Sequence, residues 1–132
     1  MSTFNTIDEA RAYFEGDRFA VENGMVIDAI GEGTSTCSMD ILPRHRNANG
    51  GVMGGAIFTL ADFAFAAACN NVHRPTVGLQ ISINYLSAAK GARLIAAARC
   101  VKDGRTTCVY AIDVTDDLGR DVARFTGTGY KS

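Results

Sequence analysis

The sequence predicts an α+β fold in which a curved antiparallel β-sheet wraps around one long apolar helix. The second half of the chain is a succession of strand-like runs separated by short turns, which is the pattern of neighbouring antiparallel strands. The stretch that begins at Gly54 is apolar on almost every side, and a helix of this kind must be buried all round. Because the chain has only one other, short helical pattern, the sheet itself has to enclose this helix.

Length and composition predict a single domain over residues 1–132, with residues 1–17 as a helical lead-in. A chain of 132 residues that is 47% apolar can bury a core of its own. Its 13 basic and 14 acidic residues leave a net charge of -1, so nothing indicates a nucleic-acid partner or an anionic membrane surface. The first residues lack a secretion signal, and the most apolar stretch, which Asp62 interrupts, is shorter than the ~20 residues of a membrane span. We therefore expect a cytoplasmic protein without a membrane segment.

The first half of the chain is predicted to hold a short helix followed by a hairpin. Residues Thr6–Glu15 place apolar side chains on one helical stripe, with acidic residues in the first turn. Two strand-like runs follow, Phe19–Ile30 and Thr34–Leu42, and the Gly-Glu-Gly sequence between them is typical of a tight turn. The polar, glycine-rich segment Pro43–Gly51 is then expected to be a loop.

The second half is predicted to be one helix and four strands. The helix extends from Gly54 to about Asn71, with a glycine pair at its start and an asparagine pair at its end. Between Val77 and Tyr85, apolar residues alternate strictly with small or polar ones, which is the period of a β-strand. Three further strands are expected at Ala92–Val101, Thr106–Thr115 and Asp121–Tyr130.

One carboxylate, Asp62, interrupts the apolar helix. Its neighbours at helical spacing are Phe58, Thr59, Phe65 and Ala66, so no adjacent cation can neutralise it. A buried carboxylate is costly unless it is paired, protonated or in contact with water. Two interpretations follow: Asp62 bonds a backbone group or a distant arginine for structural reasons, or it is a reactive carboxylate in an apolar cleft.

The residues around this helix resemble the motif of a known enzyme family. The run from Asn47 to Asn70 contains an asparagine, a glycine-containing loop, the pair Gly54-Gly55 and the sequence Leu-Ala-Asp on the helix. This pattern is similar to the signature of hotdog-fold acyl-CoA thioesterases, in particular of the PaaI-type (phenylacetic-acid-degradation) branch. The resemblance covers most of the chain from about Phe19 onward and implies the hotdog fold, in which a curved antiparallel sheet surrounds one long helix.

The resemblance implies roles for individual residues. Asp62 matches the catalytic carboxylate, which activates water or attacks the thioester. Gly54 matches the glycine whose N–H forms the oxyanion hole. Asn47 matches an asparagine that helps to place the thioester or the water. Met53 stands where the family usually has histidine, and a thioether can neither donate a hydrogen bond nor shuttle a proton. Met53 is one of the substrate-binding candidates, and the others are Gly55, Thr76, Gly78 and Gln80.

General chemistry supports the roles of Gly54 and Asp62. Thioester hydrolysis develops negative charge on the carbonyl oxygen, and the unpaired N–H groups at a helix N-terminus stabilise such a charge. A glycine lets the substrate approach the backbone closely. In an apolar setting the pKa of Asp62 is expected to be raised, which makes it a better base near neutral pH.

The spacing of these two residues predicts an assembly. Gly54 and Asp62 are eight residues apart, which is ~12 Å along a helix. A nucleophile has to come within ~3–3.5 Å of the carbonyl group that it attacks. We therefore expect the two groups to meet from different chains across a two-fold interface, in a homodimer or a dimer of dimers.

No metal or redox site is expected. The chain has four cysteines without a Cys-x-x-Cys pair, namely Cys37, Cys69, Cys100 and Cys108. Buried thiols in a reducing compartment explain this pattern better than a zinc ribbon does. His45 and His73 are isolated in polar loops and are expected at the surface. The chain also lacks the Gly-x-Ser-x-Gly of a serine hydrolase and the lysine of a phosphate-binding loop.

The sequence thus predicts an acyl-CoA thioesterase that acts on a medium-sized or aromatic acyl group without a metal or redox cofactor. The alternative, motivated by Met53, is a catalytically weak acyl-CoA-binding protein of the same fold. A hydratase is disfavoured because no Asp/His pair of that type is present. Six basic residues either contact the phosphates of coenzyme A or belong to the solvated surface: Arg44, Arg46, Lys90, Arg93, Lys102 and Arg105.

Overall fold

The structure, a computed structural model that describes all 132 residues, has the predicted α+β fold. Its helices are α1 (Ile7–Phe14), α2 (Arg18–Glu22) and α3 (Gly54–Asn70), and a 3-10 turn lies at Pro43–His45. Its strands are β1 (Val26–Gly31), β2 (Thr34–Asp40), β3 (Thr76–Tyr85), β4 (Arg93–Asp103), β5 (Thr107–Asp116) and β6 (Asp121–Lys131). None of the helices has both the length and the apolar character that a membrane crossing requires.

The strands form one antiparallel sheet of six strands in the order β1-β2-β4-β5-β6-β3. The sheet curves around α3, which contacts all six strands. β3 is an edge strand that pairs with β6 along its whole length and leaves its other edge free. The predicted curved sheet around one long helix is therefore confirmed.

Small side chains on α3 let the strands come close to the helix. Ala61, Ala64 and Ala67 are completely inaccessible to solvent. Phe65 fills the space between the helix and the sheet, with its ring centroid 5.7 Å from that of Tyr110 in an edge-on arrangement, a geometry that aromatic pairs favour.

The prediction that α3 is buried on every side is wrong for one narrow stripe. Four residues at helical spacing on this stripe are partly or fully accessible, namely Gly55, Thr59, Asp62 and Ala66. The sheet curves around the helix without closing over it, and the short helix α2 covers only part of the opening. The accessible stripe therefore brings Thr59 and Asp62, the two polar side chains in the middle of α3, into contact with solvent.

The predicted strand Phe19–Ile30 is wrong in its first part, which is the helix α2. Arg18 pairs with Glu22 one turn later, with Nη2 and Oε2 3.0 Å apart, and such pairs support a helix. Gly24 ends this segment with a φ of 82°, which glycine adopts without steric cost. The strand β1 begins only at Val26.

β3 departs from the strict alternation that its sequence predicts. A bulge between Gly78 and Gln80 shifts its register against β6, and a shift of one residue turns the following side chains to the other face. Ile81 packs against the core, whereas Val77 and Leu79 are 49% and 60% exposed. The apolar side chains on either side of the bulge therefore do not share one face of the strand.

Asp116 fastens the turn between β5 and β6 to the segment that precedes β4. Its buried carboxylate accepts hydrogen bonds from the backbone N–H groups of Lys90, Gly91, Leu118 and Arg120, at 2.8 to 3.1 Å. These bonds hold the pKa of Asp116 down at about 2, because each N–H stabilises the ionised form.

We expect Asp116→Asn to lower the melting temperature near neutral pH, by an amount that shrinks in acid. The folded-state pKa of about 2 lies below the ordinary value of ~3.9 for an unfolded aspartate. The ionised carboxylate therefore stabilises the fold fully above about pH 5, and this contribution is lost as the pH falls toward 2. Calorimetric melting of both proteins from about pH 2.5 to pH 7 measures it. A difference that stays constant over this range would contradict the assignment.

Candidate active site

Asp62 lies in the accessible stripe of α3, where α2 passes beside the helix. It lines a cleft of about 320 Å³, named the Asp62 cleft. The other residues of this cleft are Asp17, Arg18, Phe19, Ala20, Phe58, Thr59 and Phe63. The carboxylate is partly buried and makes no hydrogen bond or ion pair within the chain. It is the kind of unpartnered acid that structural stability alone does not explain.

The surroundings of Asp62 make it more basic than an ordinary aspartate. Partial burial raises the pKa of Asp62, and the carboxylate of Asp17 raises it further, because both disfavour the ionised form. Neither a backbone group nor an arginine of the chain bonds the side chain, so no structural partner for Asp62 is present in the chain.

The first turn of α3 offers free N–H groups. Those of Gly54 and Gly55 make no hydrogen bond within the chain, and the side chain of Met53 at the N-cap position provides no acceptor for them. Tyr85 fixes this turn to the end of β3, since its hydroxyl donates to the Gly54 carbonyl oxygen at 2.9 Å. Free N–H groups at the positive end of a helix can stabilise an oxyanion.

Any residue other than glycine at position 54 would require Tyr85 to move. A Cβ atom at this position would lie 3.1 Å from the hydroxyl oxygen of Tyr85 and 3.2 Å from the ring carbon that carries it. The absence of a side chain therefore lets the phenol ring lie against the backbone, and it also keeps the N–H of Gly54 open to a ligand.

A second cleft, of about 500 Å³, opens beside the N-terminal turn of α3 and is named the Met53 cleft. Its walls include Arg44, Met53, Gly55, Ala56 and Tyr85. It shares three residues with the Asp62 cleft, namely Phe19, Phe58 and Thr59. The two clefts therefore form one groove along the accessible stripe of α3.

Asn47 organises the exposed loop that leads into α3. Its Oδ1 accepts hydrogen bonds from the N–H groups of Asn49 and Gly51, at 3.0 and 3.1 Å. This fixes the orientation of the side-chain amide and leaves the two hydrogens of Nδ2 without a partner in the chain. Asn47 is therefore available as a donor on the same loop that ends at the Gly54 turn.

The family model described as the thioesterase superfamily matches residues 49–123, more than half of the chain, including α3 with Gly54 and Asp62. The chain belongs to the thioesterase superfamily. Both the resemblance found in the sequence and, at the level of the family, the prediction of a thioester hydrolase are confirmed.

Individual relatives of this thioesterase-superfamily protein agree with that conclusion. It is 32% identical over 123 residues to acyl-coenzyme A thioesterase PaaI of Escherichia coli (strain K12), a match that covers 92% of this chain and 88% of the relative. The structure of the E. coli PaaI protein from the phenylacetic acid degradation operon superposes with a TM-score of 0.88 at 31% identity, covering 93% of this chain and 90% of that one. A hypothetical thioesterase protein from Streptococcus pneumoniae TIGR4, whose structure contains coenzyme A, superposes with a TM-score of 0.83 at 31% identity. This match covers 90% of this chain and 96% of that one.

A single chain of this superfamily member does not bring Gly54 and Asp62 together. The two residues lie on one uninterrupted helix, eight residues apart, or ~12 Å along its axis. Gly54 does not line the Asp62 cleft but faces a separate cleft beside Tyr85 and Leu86.

The three candidates on β3 also lie apart from Asp62. Thr76 is buried at the C-terminal end of α3, where its hydroxyl donates to the His73 carbonyl at 2.6 Å and its N–H to Asn70 at 2.9 Å, so both groups are already bonded within the chain. Gly78 and Gln80 flank the bulge on the free edge strand and are exposed.

His45 is buried, contrary to the prediction of a surface position. Its Nδ1 accepts a hydrogen bond from the Leu42 N–H at 3.0 Å, and its Nε2 lies 3.1 Å from the Asn23 carbonyl oxygen. Because both ring nitrogens are bonded, burial of the imidazole costs little. The residue joins the loop before α3 to the end of α2, while His73 is half-buried.

The cysteines are free thiols, and three of the four are buried, namely Cys37, Cys69 and Cys108. Burial raises the pKa of Cys37 and of Cys69 to about 12. Thiols of this kind are largely protonated at neutral pH and therefore poor nucleophiles. The expectation of buried thiols is confirmed for these three, whereas Cys100 is half-buried.

Reasoning from the sequence missed three residues of the groove: Asp17, Phe19 and Tyr85. The spacing of Arg18 and Glu22 is a sequence signal for the helix α2. A helix predicted there makes Asp17 and Phe19 candidates for residues that pack beside α3. No local pattern connects Tyr85 with Gly54, which are 31 residues apart.

Proposed function

We propose that the protein is an acyl-CoA thioesterase in which Asp62 is the base or nucleophile and the N–H of Gly54 stabilises the oxyanion. The observation that carries this proposal is the unpartnered, partly buried carboxylate of Asp62 in a cleft with an aromatic wall, on the same helix whose first N–H groups are free. A carboxylate with a raised pKa and preorganised N–H donors are the two parts that thioester hydrolysis requires.

The chemical step follows from these two groups. In one course, Asp62 takes a proton from a water molecule, and the oxygen of the water attacks the carbonyl carbon of the thioester. In the other, the carboxylate itself attacks and water cleaves the resulting anhydride. In both, the negative charge on the carbonyl oxygen is held by the N–H of Gly54, the C–S bond breaks, and the thiolate of coenzyme A accepts a proton. Asn47 supports the step by donating from Nδ2 to the thioester or the water.

A medium-sized or aromatic acyl group suits the groove. The Asp62 cleft has a volume of about 320 Å³, which is enough for a short chain or one ring. Phe19 and Phe58 form its apolar wall, and Phe19 leaves 70% of its surface exposed without a ligand. Two aromatic side chains offer a ring-shaped substrate the tilted or offset contacts that aromatic groups prefer.

We also propose that two chains share each site. The distance of ~12 Å along α3 is too long for one aspartate side chain to reach a carbonyl held at Gly54. β3 offers a free edge of ten residues, with the apolar Val77 and Leu79 exposed, and such edges pair readily with another strand. Pairing of β3 with the same strand of a second chain would create a homodimer, and it would bring Gly78 and Gln80 to the interface.

The proposed reaction needs only water as a co-substrate, without a metal or redox cofactor. Arg44 on the wall of the Met53 cleft is the basic residue placed to meet a phosphate of coenzyme A, and we propose the cytoplasm, where reduced thiols persist, as the location.

A thiol-release assay over a panel of acyl-CoA esters tests the proposed function. We expect turnover of hexanoyl-, octanoyl- and phenylacetyl-CoA and much slower turnover of palmitoyl-CoA. The alternative function, acyl-CoA binding with little catalysis, is favoured by Met53, whose thioether cannot shuttle a proton. Rates at background for every ester, together with calorimetric binding of an inert thioether analogue, would establish that alternative.

The effect of Met53→His measures how far the thioether limits the rate. Met53 is 55% exposed at the N-cap of α3, so an imidazole fits there without repacking the core. We expect this variant to be at least as active as the wild type, because an imidazole restores a hydrogen-bond donor beside the oxyanion turn. Met53→Gln provides a matched control with a donor that cannot titrate. A large loss of kcat in Met53→His would show that the thioether itself contacts the substrate.

A further inference from the structure

We propose that Asp17 is a positioning residue of the active site, a second carboxylate whose negative charge across the Asp62 cleft strengthens Asp62 as a base. The inference rests on the proposed function, since it assigns Asp17 a role in the reaction that Asp62 performs. It also gives α2, which lies outside the part of the chain that the family model matches, a function in catalysis.

The geometry of α2 leaves the carboxylate of Asp17 free for this role. Asp17 occupies the N-cap position, but its side chain makes no capping hydrogen bond. An aspartate at this position usually accepts a hydrogen bond from the backbone N–H two or three residues later. Thr6 shows this arrangement at α1, where its hydroxyl oxygen accepts a hydrogen bond from the N–H of Glu9 at 3.1 Å. The carboxylate of Asp17 instead lines the Asp62 cleft.

Few other charges face Asp62. Besides Asp17, the only charged residue that lines the cleft is Arg18, whose Nε and Nη2 lie 3.2 and 3.0 Å from Oε2 of Glu22. On α3 itself the titratable neighbour is Cys69, a protonated thiol because burial raises its pKa to about 12. The strands packed against α3 contribute no charged group that acts on Asp62. The charge of Asp17 is therefore not offset by a free cation.

Because no free cation faces the cleft, the negative charge of Asp17 makes Asp62 harder to ionise. The proton affinity of Asp62 rises with the negative charge of Asp17, so Asp62 removes a proton from water more readily. Arg18 also lines the cleft, but its guanidinium is ion-paired with Glu22.

The experiment replaces Asp17 with asparagine, which keeps the size and the N-cap preference of the side chain and removes its charge. We expect the midpoint of the acid limb of kcat/KM against pH to fall by about half a pH unit to one pH unit. The plateau of kcat should fall about twofold to threefold, since a weaker base transfers a proton less readily. KM should not change. The matched control is Asp8→Asn, the same charge change at a carboxylate of α1 that is 90% exposed, and it should leave the midpoint in place.

A direct titration separates this inference from the proposed function. The carboxyl carbon of Asp62, identified by its absence from the spectrum of Asp62→Asn, is followed by NMR in the intact chain and in Asp17→Asn. A lower midpoint in Asp17→Asn supports the inference even if no ester is hydrolysed, and the proposed function alone would then fail. An unchanged midpoint in an active enzyme overturns the inference and leaves the proposed function standing. A lower melting temperature with an unchanged midpoint assigns Asp17 to folding and also overturns it.

Discussion

Asp62→Asn is expected to lower kcat by at least two orders of magnitude while the fold stays intact. Asparagine is almost isosteric with aspartate but has neither the charge nor the basicity, and general-base catalysis typically contributes ~10²–10⁴-fold. If Asp62 attacks the thioester directly, the loss is at least as large, because an amide is a poor nucleophile. Thiol release measured under saturating acyl-CoA gives kcat.

The stability of the same variant distinguishes a catalytic from a structural Asp62. Burial raises the pKa of Asp62 in the folded chain, so above that pKa the ionised carboxylate opposes folding and its removal stabilises the protein. We expect the melting temperature of Asp62→Asn at pH 7 to equal or exceed that of the wild type. Asp40→Asn, the same substitution at an exposed carboxylate at the end of β2, is the control and should keep full activity. Wild-type turnover in Asp62→Asn would mean that the mechanism is wrong.

The elements that the sequence predicts correctly are those that a local pattern determines. The run after Gly54 is apolar apart from Thr59 and Asp62 until Asn70, so burial by a curved sheet follows from the cost of exposing it. The strands β4, β5 and β6 follow one another through short turns, and hairpin pairing of neighbouring strands is the simplest topology. In contrast, the pairing of β3 with β6 depends on contacts between distant segments, and its bulge at Gly78 has no signal in the alternating pattern.

The errors share a physical cause, which is that distant contacts override local preference. Phe19 and Val21 resemble residues of a strand, but packing on the distant helix α3 favours a helix there, and the local ion pair of Arg18 with Glu22 supports it. His45 resembles a surface residue, but its two ring nitrogens find backbone partners on separate segments.

The candidate site was predictable only in part for the same reason. Asp62 is conspicuous because a charge in an apolar helix has no local partner. Nothing near Gly54 in the sequence indicates that Tyr85 donates to its carbonyl. Likewise, no spacing rule places Asp17 beside Asp62, which is 45 residues later in the chain.

Mixed dimers of two inactive variants are expected to recover activity if each site combines Gly54 of one chain with Asp62 of the other. Asp62→Ala removes the carboxylate from both sites of its homodimer. Gly54→Pro removes the oxyanion N–H from both sites and suits the first position of a helix. The backbone of Met53, with φ -60° and ψ 134°, is also one that a residue before proline can adopt.

In a mixed dimer, one site inherits both lesions, while the other combines the intact Gly54 of the Asp62→Ala chain with the intact Asp62 of the Gly54→Pro chain. Random reassembly of equal amounts makes half of the dimers mixed, each with one working site. We therefore expect roughly a quarter of the wild-type activity, from parents that show none. Size exclusion and circular dichroism establish beforehand that each variant folds and exchanges subunits.

Gly54→Ala shows whether the lost N–H, rather than the added side chain, inactivates the Gly54→Pro parent. Both substitutions place a Cβ atom 3.1 Å from the Tyr85 hydroxyl oxygen, but alanine keeps the N–H. We expect Gly54→Ala to retain much more activity than Gly54→Pro, because the end of a tyrosine side chain can move by a few tenths of an ångström while a missing donor costs ~10²–10³-fold.

If verified mixed dimers remain as inactive as their parents, each site is built within one chain. The separation of ~12 Å along α3 would then have to be bridged by the substrate instead of by a second subunit.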